Sequence, residues 1–267
     1  MRHSALRTRT RFISLLVSLF LFILTGAHAQ AFAQDASKRT PTETVQQFYQ
    51  LLREKNFRGA FALSIFKPAI DDLSAEDFDD LKVDFERMAA NVPETIEYGG
   101  EQISGDTASV FIKAPGAAES DQPEPVPLMR IGNQWIIGDK ETQAAVKQEG
   151  RNYFLKARID THHKEAAVML QRINLAEIAY SAQHNGQFTD IPSLIAAGLL
   201  PKDIQTTEST GYTFHLTLAK DAKSYTVGAE PARYGRTGRF SYFMDKDGIK
   251  NADVGGKPLI LPQAKKK

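Results

Sequence analysis

The sequence contains no cysteine. Disulfide bonds, thiolate zinc sites, a cysteine nucleophile and a lipoprotein anchor on cysteine are therefore excluded. The stability of the folded chain has to come from packing. Apolar residues make up 42% of the 267 positions and charged residues 24%, which is enough apolar material for one large core or two small ones.

An excess of charge of one sign is also lacking. There are 33 basic and 32 acidic residues, a formal net charge of +1. Four of the basic residues and none of the acids lie in residues 1–29, so the rest of the chain carries about −3. This balance does not favour a nucleic-acid-binding protein. Residues 38–149 hold 12 basic against 20 acidic residues and residues 150–267 hold 17 against 11, a difference that could dock two domains or orient the chain on a partner.

Long hydrophobic runs are missing as well. The longest apolar stretch, residues 12–24, is about 13 residues long, whereas a transmembrane helix needs ~20. A basic segment, residues 1–11, precedes this stretch, and the small-x-small sequence Ala27-His28-Ala29 follows it. A basic start, an apolar middle and a small-residue end are the three parts of a secretory signal peptide.

We therefore predict a signal peptide over residues 1–29. Cleavage is expected after Ala29, with Ala31 and Ala33 as alternatives, because each ends a small-x-small sequence. The small and polar residues 30–37 are expected to form a flexible leader. An uncleaved anchor helix is the alternative interpretation of the apolar stretch.

Residues 38–140 are predicted to fold as helices followed by strands. Thr40-Pro41-Thr42-Glu43 is a capping-box helix start, and the apolar residues after it recur on one helical face. Further helices are predicted over residues 58–65 and from Ser74 to Pro93. Turn signals at Gly105-Asp106 and Gly132-Asn133 separate strands. The four predicted strands span residues 95–104, 107–113, 126–131 and 134–138.

Three stretches of this segment resemble the nuclear-transport-factor-2-like (cystatin-like) families. Residues 41–49, PTETVQQFY, are similar to the first helix of these domains, and residues 56–61, NFRGAF, to the step into the next helix. Residues 127–137, PLMRIGNQWII, are similar to their closing hairpin. The resemblance covers residues 40–140. It implies a cone of helices and curled antiparallel sheet, whose mouth binds a small ligand or carries out catalysis.

Few residues of this segment could bind a ligand or transfer a proton at the mouth of such a cone. Residues 38–149 contain no histidine, although acid–base chemistry in a cone uses a histidine or a buried carboxylate. The candidate pocket residues are Tyr49, Asp71, Asp72 and Tyr98. The alternative is that the tyrosines belong to the core and the aspartates form a solvated pair in a loop before a helix. No catalytic residue is predicted.

Residues 141–262 form the second predicted domain. Residues 141–184 contain no proline and one glycine, Gly150, which predicts one long helix or two helices joined near Gly150. Asn185-Gly186 is expected to end it. A short helix over residues 191–197 then precedes an antiparallel sheet. The strands are predicted over residues 212–218, 224–229 and 240–244, with a last strand from Ile249.

This second segment resembles type IV pilins and type II secretion pseudopilins over residues 153–252. The stretches that carry the likeness, in order, are LAEIAY (175–180), NGQF (185–188), LIAAGLL (194–200), GYTF (211–214), YTVGAEP (225–231), GRFSYF (238–243) and Asp247-Gly248. The resemblance implies a long helix packed on an antiparallel meander that binds proteins. Pilins polymerise through an apolar half-helix after a processing glycine. Here the helix starts polar at residue 141, so assembly into a pilus is not implied.

Two groups of polar residues in this segment resemble metal sites without matching them. His162 and His163 are neighbours on a helix and point about 100° apart, so they are expected to be solvated surface residues and not zinc ligands. Asp245, Asp247 and Asp253 resemble a calcium loop, but the glycine and glutamate of its sixth and twelfth positions are missing. A hairpin turn explains this sequence without a metal.

One basic loop is the candidate for binding a partner. It contains Arg233, Tyr234, Arg236 and Arg239, which would suit a carboxylate-rich protein surface. A solvated loop is the alternative.

The sequence thus predicts an α+β protein of two domains, 38–140 and 141–262, with a basic tail at 263–267. Phosphate-binding, dinucleotide-binding, nucleophile-elbow and zinc-protease motifs are absent, and no cofactor or metal is predicted. We expect an exported, periplasmic or extracellular, non-enzymatic interaction protein of the bacterial envelope. Envelope proteins are its expected partners, and neither nucleic acid nor a membrane span after signal cleavage is expected. The alternatives are a small-ligand-binding or weakly catalytic cone domain, and a minor structural subunit of a pilus or type II secretion system.

Overall fold

The residues that the structure describes form helices and two antiparallel sheets, and the predicted α+β class is confirmed. The computed structural model describes residues 39–113 and 122–260. The predicted signal peptide, leader and basic tail lie outside these residues. Within them, no helix combines the length and the apolar character that crossing a membrane requires.

The first helix, α1 (Pro41–Arg53), begins at the predicted capping box. The Thr40 hydroxyl accepts a hydrogen bond from the Glu43 amide at 3.1 Å, and the Glu43 carboxylate accepts one from the Thr40 amide at 2.8 Å. Two of the amides that a helix start leaves unpaired are satisfied in this way. One face of α1 is buried through Val45 and Leu52.

The helix predicted over residues 58–65 is present but shorter: α2 (Phe57–Phe61) ends four residues early, and a separate short helix, α3 (Lys67–Asp71), follows it. Between them the backbone leaves the helical path and pairs with the sheet. The Ile65 amide donates to the Ile137 carbonyl, and the Ile137 amide donates to the Leu63 carbonyl, both at 2.9 Å. This pairing with a segment some 70 residues away leaves no local signal in the sequence.

Helix α4 (Ala75–Ala90) completes the helical layer of this part of the chain. It begins where predicted, at Ser74, whose hydroxyl accepts the Asp77 amide at 3.0 Å. Phe85 of α4 lies with its ring centre 5.1 Å from Phe61 and 5.7 Å from Phe57. These aromatic contacts hold α4 against α2.

The first sheet contains β1 (Glu97–Ser104), β2 (Thr107–Lys113), β3 (Glu124–Ile131) and β4 (Gln134–Ile137), paired antiparallel in that order. All four predicted strands are confirmed, with ends that differ by up to two residues. Helix α1 packs on this sheet. The core between them consists of Val45, Ala108, Val110, Leu128 and Trp135.

The helical segment predicted over residues 141–184 forms two helices, α5 (Lys140–Glu149) and α6 (Tyr153–Gln183). The alternative of two helices joined near Gly150 is therefore confirmed. Gly150 ends α5 with a φ of 54°, a backbone conformation that favours glycine. The chain divides into two compact units after Arg151. Helix α5 therefore lies in the first unit, where it packs against α3, although the sequence places these residues in the second segment.

The second unit combines α6 and a short helix, α7 (Ile191–Ala196), with a second sheet. Its strands β5 (Tyr212–Leu218), β6 (Tyr225–Pro231), β7 (Phe240–Asp245) and β8 (Gly248–Asp253) also pair antiparallel in sequence order. The core is formed by one face of α6 and the inner residues of the sheet. Its most buried members are Ala166, Leu170, Ile173, Leu194, Tyr212, Val227 and Ala229, none of which has any exposed surface.

A glycine substitution tests how the first sheet is joined to the helices. Gly138 has a φ of 129°, and a Cβ atom there would lie 2.5 Å from Ile65. We expect Gly138→Ala to lower the free energy of unfolding by roughly 3 kcal/mol, from backbone strain and overlap together. Gly132→Ala, at a φ of 61° in open space, should cost only about 1 kcal/mol.

Trp135 is the only tryptophan and lies in the core of the first unit, so its fluorescence during urea unfolding measures both variants. Equal losses for the two variants would show that the contact with Ile65 does not constrain Gly138.

Candidate functional site

A cleft of about 690 Å³ opens beside α1 in the first unit. Its walls are mainly apolar, and polar groups are contributed by Tyr49, Asn91, Lys113, Gln122 and Glu124. The apolar lining residues are Phe48, Leu52, Met88, Val92, Pro93, Ile96 and Ile112. A cleft of this size and character suits a small, largely apolar ligand.

The structure brings together two of the four predicted pocket residues. Tyr49 and Tyr98 both pack on the core of the first unit, and Tyr49 lines the cleft. Burial raises the pKa of the Tyr49 hydroxyl, and nearby Tyr98 and Glu124 raise it further. Asp71 and Asp72 lie elsewhere, exposed at the end of α3, where Asp71 forms an ion pair with Lys67. They do not line this cleft, and instead of lying in the predicted loop Asp71 is the last residue of α3 and Asp72 its C-cap.

The predicted partner-binding residues lie in or next to the loop of residues 233–239, between β6 and β7. This 233–239 loop is closed by its own hydrogen bonds. The carbonyl of Arg233 accepts from the amides of Arg236 and Thr237, and the Thr237 hydroxyl accepts from the Arg233 amide at 3.0 Å. Thr237 is buried, so the loop has an inner side that rests on the unit.

Tyr234 and Arg239 already bind a carboxylate of the same chain. The Tyr234 hydroxyl donates to Asp253 Oδ1 at 2.8 Å, and Arg239 Nε lies 3.5 Å from Asp253 Oδ2. The Tyr234 hydroxyl, the Gly255 amide and Arg239 all hold the pKa of Asp253 below its ordinary value. The carboxylate-binding chemistry expected of this loop is therefore used, for these two residues, in attaching the loop to the end of β8.

The prediction that His162 and His163 are solvated is wrong. His162 is only 6% exposed, and its Nδ1 lies 2.9 Å from the carbonyl oxygen of Thr237. His163 is half-buried, and its Nε2 accepts the Arg239 amide at 3.0 Å. Both histidines of α6 thus hold the 233–239 loop, which returns to them some 75 residues later in the chain.

Sequence reasoning also missed a buried carboxylate on α6. Glu177 has no exposed surface, and its Oε2 accepts the Thr189 amide at 3.1 Å. Its other oxygen, Oε1, has no hydrogen-bond partner among the described residues. Burial raises the pKa of Glu177 to about 7, Asp190 adds to the rise, and the Thr189 amide opposes it. The signal available in the sequence was a glutamate at a position that shares the apolar face of α6 with Ile173.

The opposite face of α6 exposes apolar side chains. Leu175 is 66% exposed, Ile178 54% and Val168 41%. Val168, Leu175 and the exposed Ala182 are spaced by seven residues and therefore share one side of the helix, with Ile178 beside them. We call these four residues the α6 stripe. At 1.5 Å per residue it runs for about 21 Å along the helix.

The predicted hairpin turn at Asp245–Gly248 is formed, with the Asp245 carboxylate accepting the Asp247 amide at 2.9 Å. Within residues 39–113 and 122–260, no three histidine or acidic side chains converge in a way that could hold a metal ion. No protein-family model, curated protein or solved structure matches this chain.

The buried carboxylate gives a prediction about stability and pH. The pKa of Glu177 is raised when folded, so the folded state binds the proton more tightly and loses stability as pH rises from about 4.5 through about 7. Glu177→Gln keeps an acceptor for Thr189 without a charge. We expect this variant to be more stable than the wild type by about 3 kcal/mol at pH 8, and the difference to vanish near pH 4.

Urea unfolding followed by circular dichroism at pH 4, 6 and 8 measures this difference. Glu165→Gln, at an exposed position of the same helix, is the matched control and should follow the wild type at each pH. A constant difference between wild type and Glu177→Gln would mean that folding does not raise the pKa of Glu177.

Proposed function

We propose that this chain is an exported, non-enzymatic interaction protein of the bacterial cell envelope. Its partner would be another envelope protein, bound at the α6 stripe. The observation that carries this proposal is the exposure of the stripe on a helix whose other face already fills the core of the second unit. A surface helix normally has one apolar face, so a second one needs an explanation.

The chemistry of the partner follows from the surroundings of the stripe. Two basic residues, Lys164 and Arg172, are exposed next to it on α6, together with one acidic residue, Glu165. A protein surface with an apolar centre and acidic residues at its rim would complement this arrangement. Residues 150–267 carry a net positive charge, 17 basic against 11 acidic residues, which favours the same kind of partner.

The identities of the two units belong to the same proposal. We propose that the second unit is a pilin-like head, in which a long helix packs on a four-stranded meander, and the first a cystatin-like cone. Support comes from the element order, with helices before a sequential sheet in the first unit and α6 before a sequential sheet in the second. The polar residues of α5 lead into α6, so the head is proposed as a binding module and not as a polymerising pilin.

Site-specific crosslinking in the producing cell tests the stripe. A photoreactive amino acid at position 175 should crosslink to one or a few envelope proteins, because Leu175 is the most exposed of the three large side chains of the stripe. The double variant Leu175→Glu and Ile178→Glu should lose at least about tenfold of this captured partner when the chain is tagged and recovered. Both changes are on the surface and should shift the free energy of unfolding by no more than roughly 0.5 kcal/mol each.

Val83→Glu is the matched control, since Val83 is a similarly exposed apolar residue, 60% exposed, on α4 of the first unit. The control should capture the partner as the wild type does. Undiminished capture by the double variant would refute the stripe as the binding surface. Sequencing the N-terminus of the recovered protein tests export, with a start near Gln30 expected; retention of residues 1–29 would favour an anchored subunit instead.

A second candidate function, binding of a small apolar ligand, is favoured by the cleft beside α1. The walls of the cleft are mainly apolar, and the half-buried Tyr49 is one of its polar lining residues. These features suit recognition of an apolar molecule with one polar end. Catalysis is not part of this proposal.

A hydrophobic fluorescent dye tests the cleft. Trp135 packs in the core that Tyr49 also contacts, so energy transfer from Trp135 should report dye bound in this unit. Ile96→Lys places a charge in the apolar wall and should weaken binding by about tenfold or more. The stripe double variant should bind as the wild type does, and equal affinity of Ile96→Lys would exclude the cleft.

A further inference from the structure

The two neighbouring histidines of α6 bind the 233–239 loop and the residue after it in opposite chemical roles. His162 Nδ1 lies 2.9 Å from the Thr237 carbonyl, which can only accept, so this nitrogen carries a hydrogen. His163 Nε2 lies 3.0 Å from the Arg239 amide, which can only donate, so this nitrogen carries none. The Phe240 amide points to the same nitrogen at a longer distance of 3.5 Å.

A proton has different consequences at the two positions. His162 donates through Nδ1 whether its ring is neutral or charged, so its bond to Thr237 does not depend on an unprotonated nitrogen. A proton on His163 Nε2 would place a second N–H against the Arg239 amide, and the hydrogen bond would be replaced by repulsion between two donors. The neutral ring of His163 is thus required for the contact at Arg239.

The groups around His163 determine the pH at which its ring takes up a proton. Burial lowers the pKa of His163; Asp160 opposes this by attracting a proton, and His162 and Arg239 add to it by repulsion. The other contacts of His163 are uncharged: its ring lies 4.7 Å from the Phe240 ring and 6.4 Å from the Tyr212 ring, and its carbonyl accepts the Tyr242 hydroxyl.

We propose that the 233–239 loop is a pH-responsive segment, held to α6 at neutral pH and detached at Arg239 and Phe240 when His163 takes up a proton. The detached state binds the proton more tightly than the attached one. The attachment is therefore complete above about pH 6.5, the ordinary pKa of histidine, and weakens as the pH falls below it. This device does not depend on the partner bound at the α6 stripe.

The detachment is local, because the neighbouring contacts do not respond to the same proton. Asp253 holds Tyr234 and Arg239, and its pKa lies below the ordinary value, so it stays ionised when His163 titrates. His162 continues to donate to Thr237. Acid would thus release the Arg239 and Phe240 amides from His163, while the Phe240 carbonyl keeps its hydrogen bond from the Tyr212 hydroxyl at 2.8 Å and the side of the loop next to β8 stays in place.

Amide hydrogen exchange of the full chain tests the proposal, with rates corrected for the intrinsic effect of pH. In the wild type, protection of the Arg239 and Phe240 amides should fall at least about tenfold between pH 7.5 and pH 5. His163→Gln keeps an acceptor that does not titrate and should stay protected at both values. His163→Phe keeps a ring against Phe240 without an acceptor and should be unprotected at both.

His215→Gln is the control, since His215 lies exposed on β5, 3.1 Å from Glu230, and should leave the wild-type response unchanged. Protection of the β5 and β6 amides checks that each variant is folded. Equal wild-type protection at both pH values, or a wild-type response in His163→Gln, would overturn the proposal. If a variant does not fold, titration of the His163 ring by NMR decides: the Arg239 amide signal must shift with the same midpoint, and independent midpoints would reject the link.

Discussion

Burial of one face of α6 against its sheet is the interaction on which the second unit depends. Ala166, Leu170 and Ile173 have no exposed surface there, and they pack against the strands β5 to β7. The helix has 31 residues and is about 46 Å long, whereas a strand of seven residues covers only ~23 Å. α6 is therefore longer than the strands that it covers, and loops next to the sheet also lie within reach of its side chains.

Polar residues of α6 hold those loops. In its first half, His162 and His163 form hydrogen bonds with backbone groups of the 233–239 loop. In its second half, Glu177 accepts a hydrogen bond from the amide of Thr189. Buried backbone groups need such partners when no strand or helix supplies them. The two ends respond to pH in opposite senses, since burial favours the neutral form of both side chains, and one of them is a base and the other an acid.

Local signals explain how much of this fold could be predicted. The capping box at Thr40, the break at Gly150 and the turn at Gly132-Asn133 each act within a few residues, and the structure contains all three. The split of residues 57–71 depends on pairing with β4, and the burial of His162 depends on Thr237; neither partner is near in sequence. Tyr49 and Tyr98 could be placed near the core from the local pattern of their own helix and strand. Asp71 could not be excluded from the pocket, because its position depends on contacts that are distant in sequence.

Both sheets share the property that each strand pairs only with its neighbours in sequence. Forming such a sheet closes one short loop after another, so each step costs little chain entropy and rests on the hairpin made before it. Neither sheet has to wait for a strand from the other unit. A chain built in this way is suited to fold in order from its N-terminal end, one unit at a time, as successive segments become available.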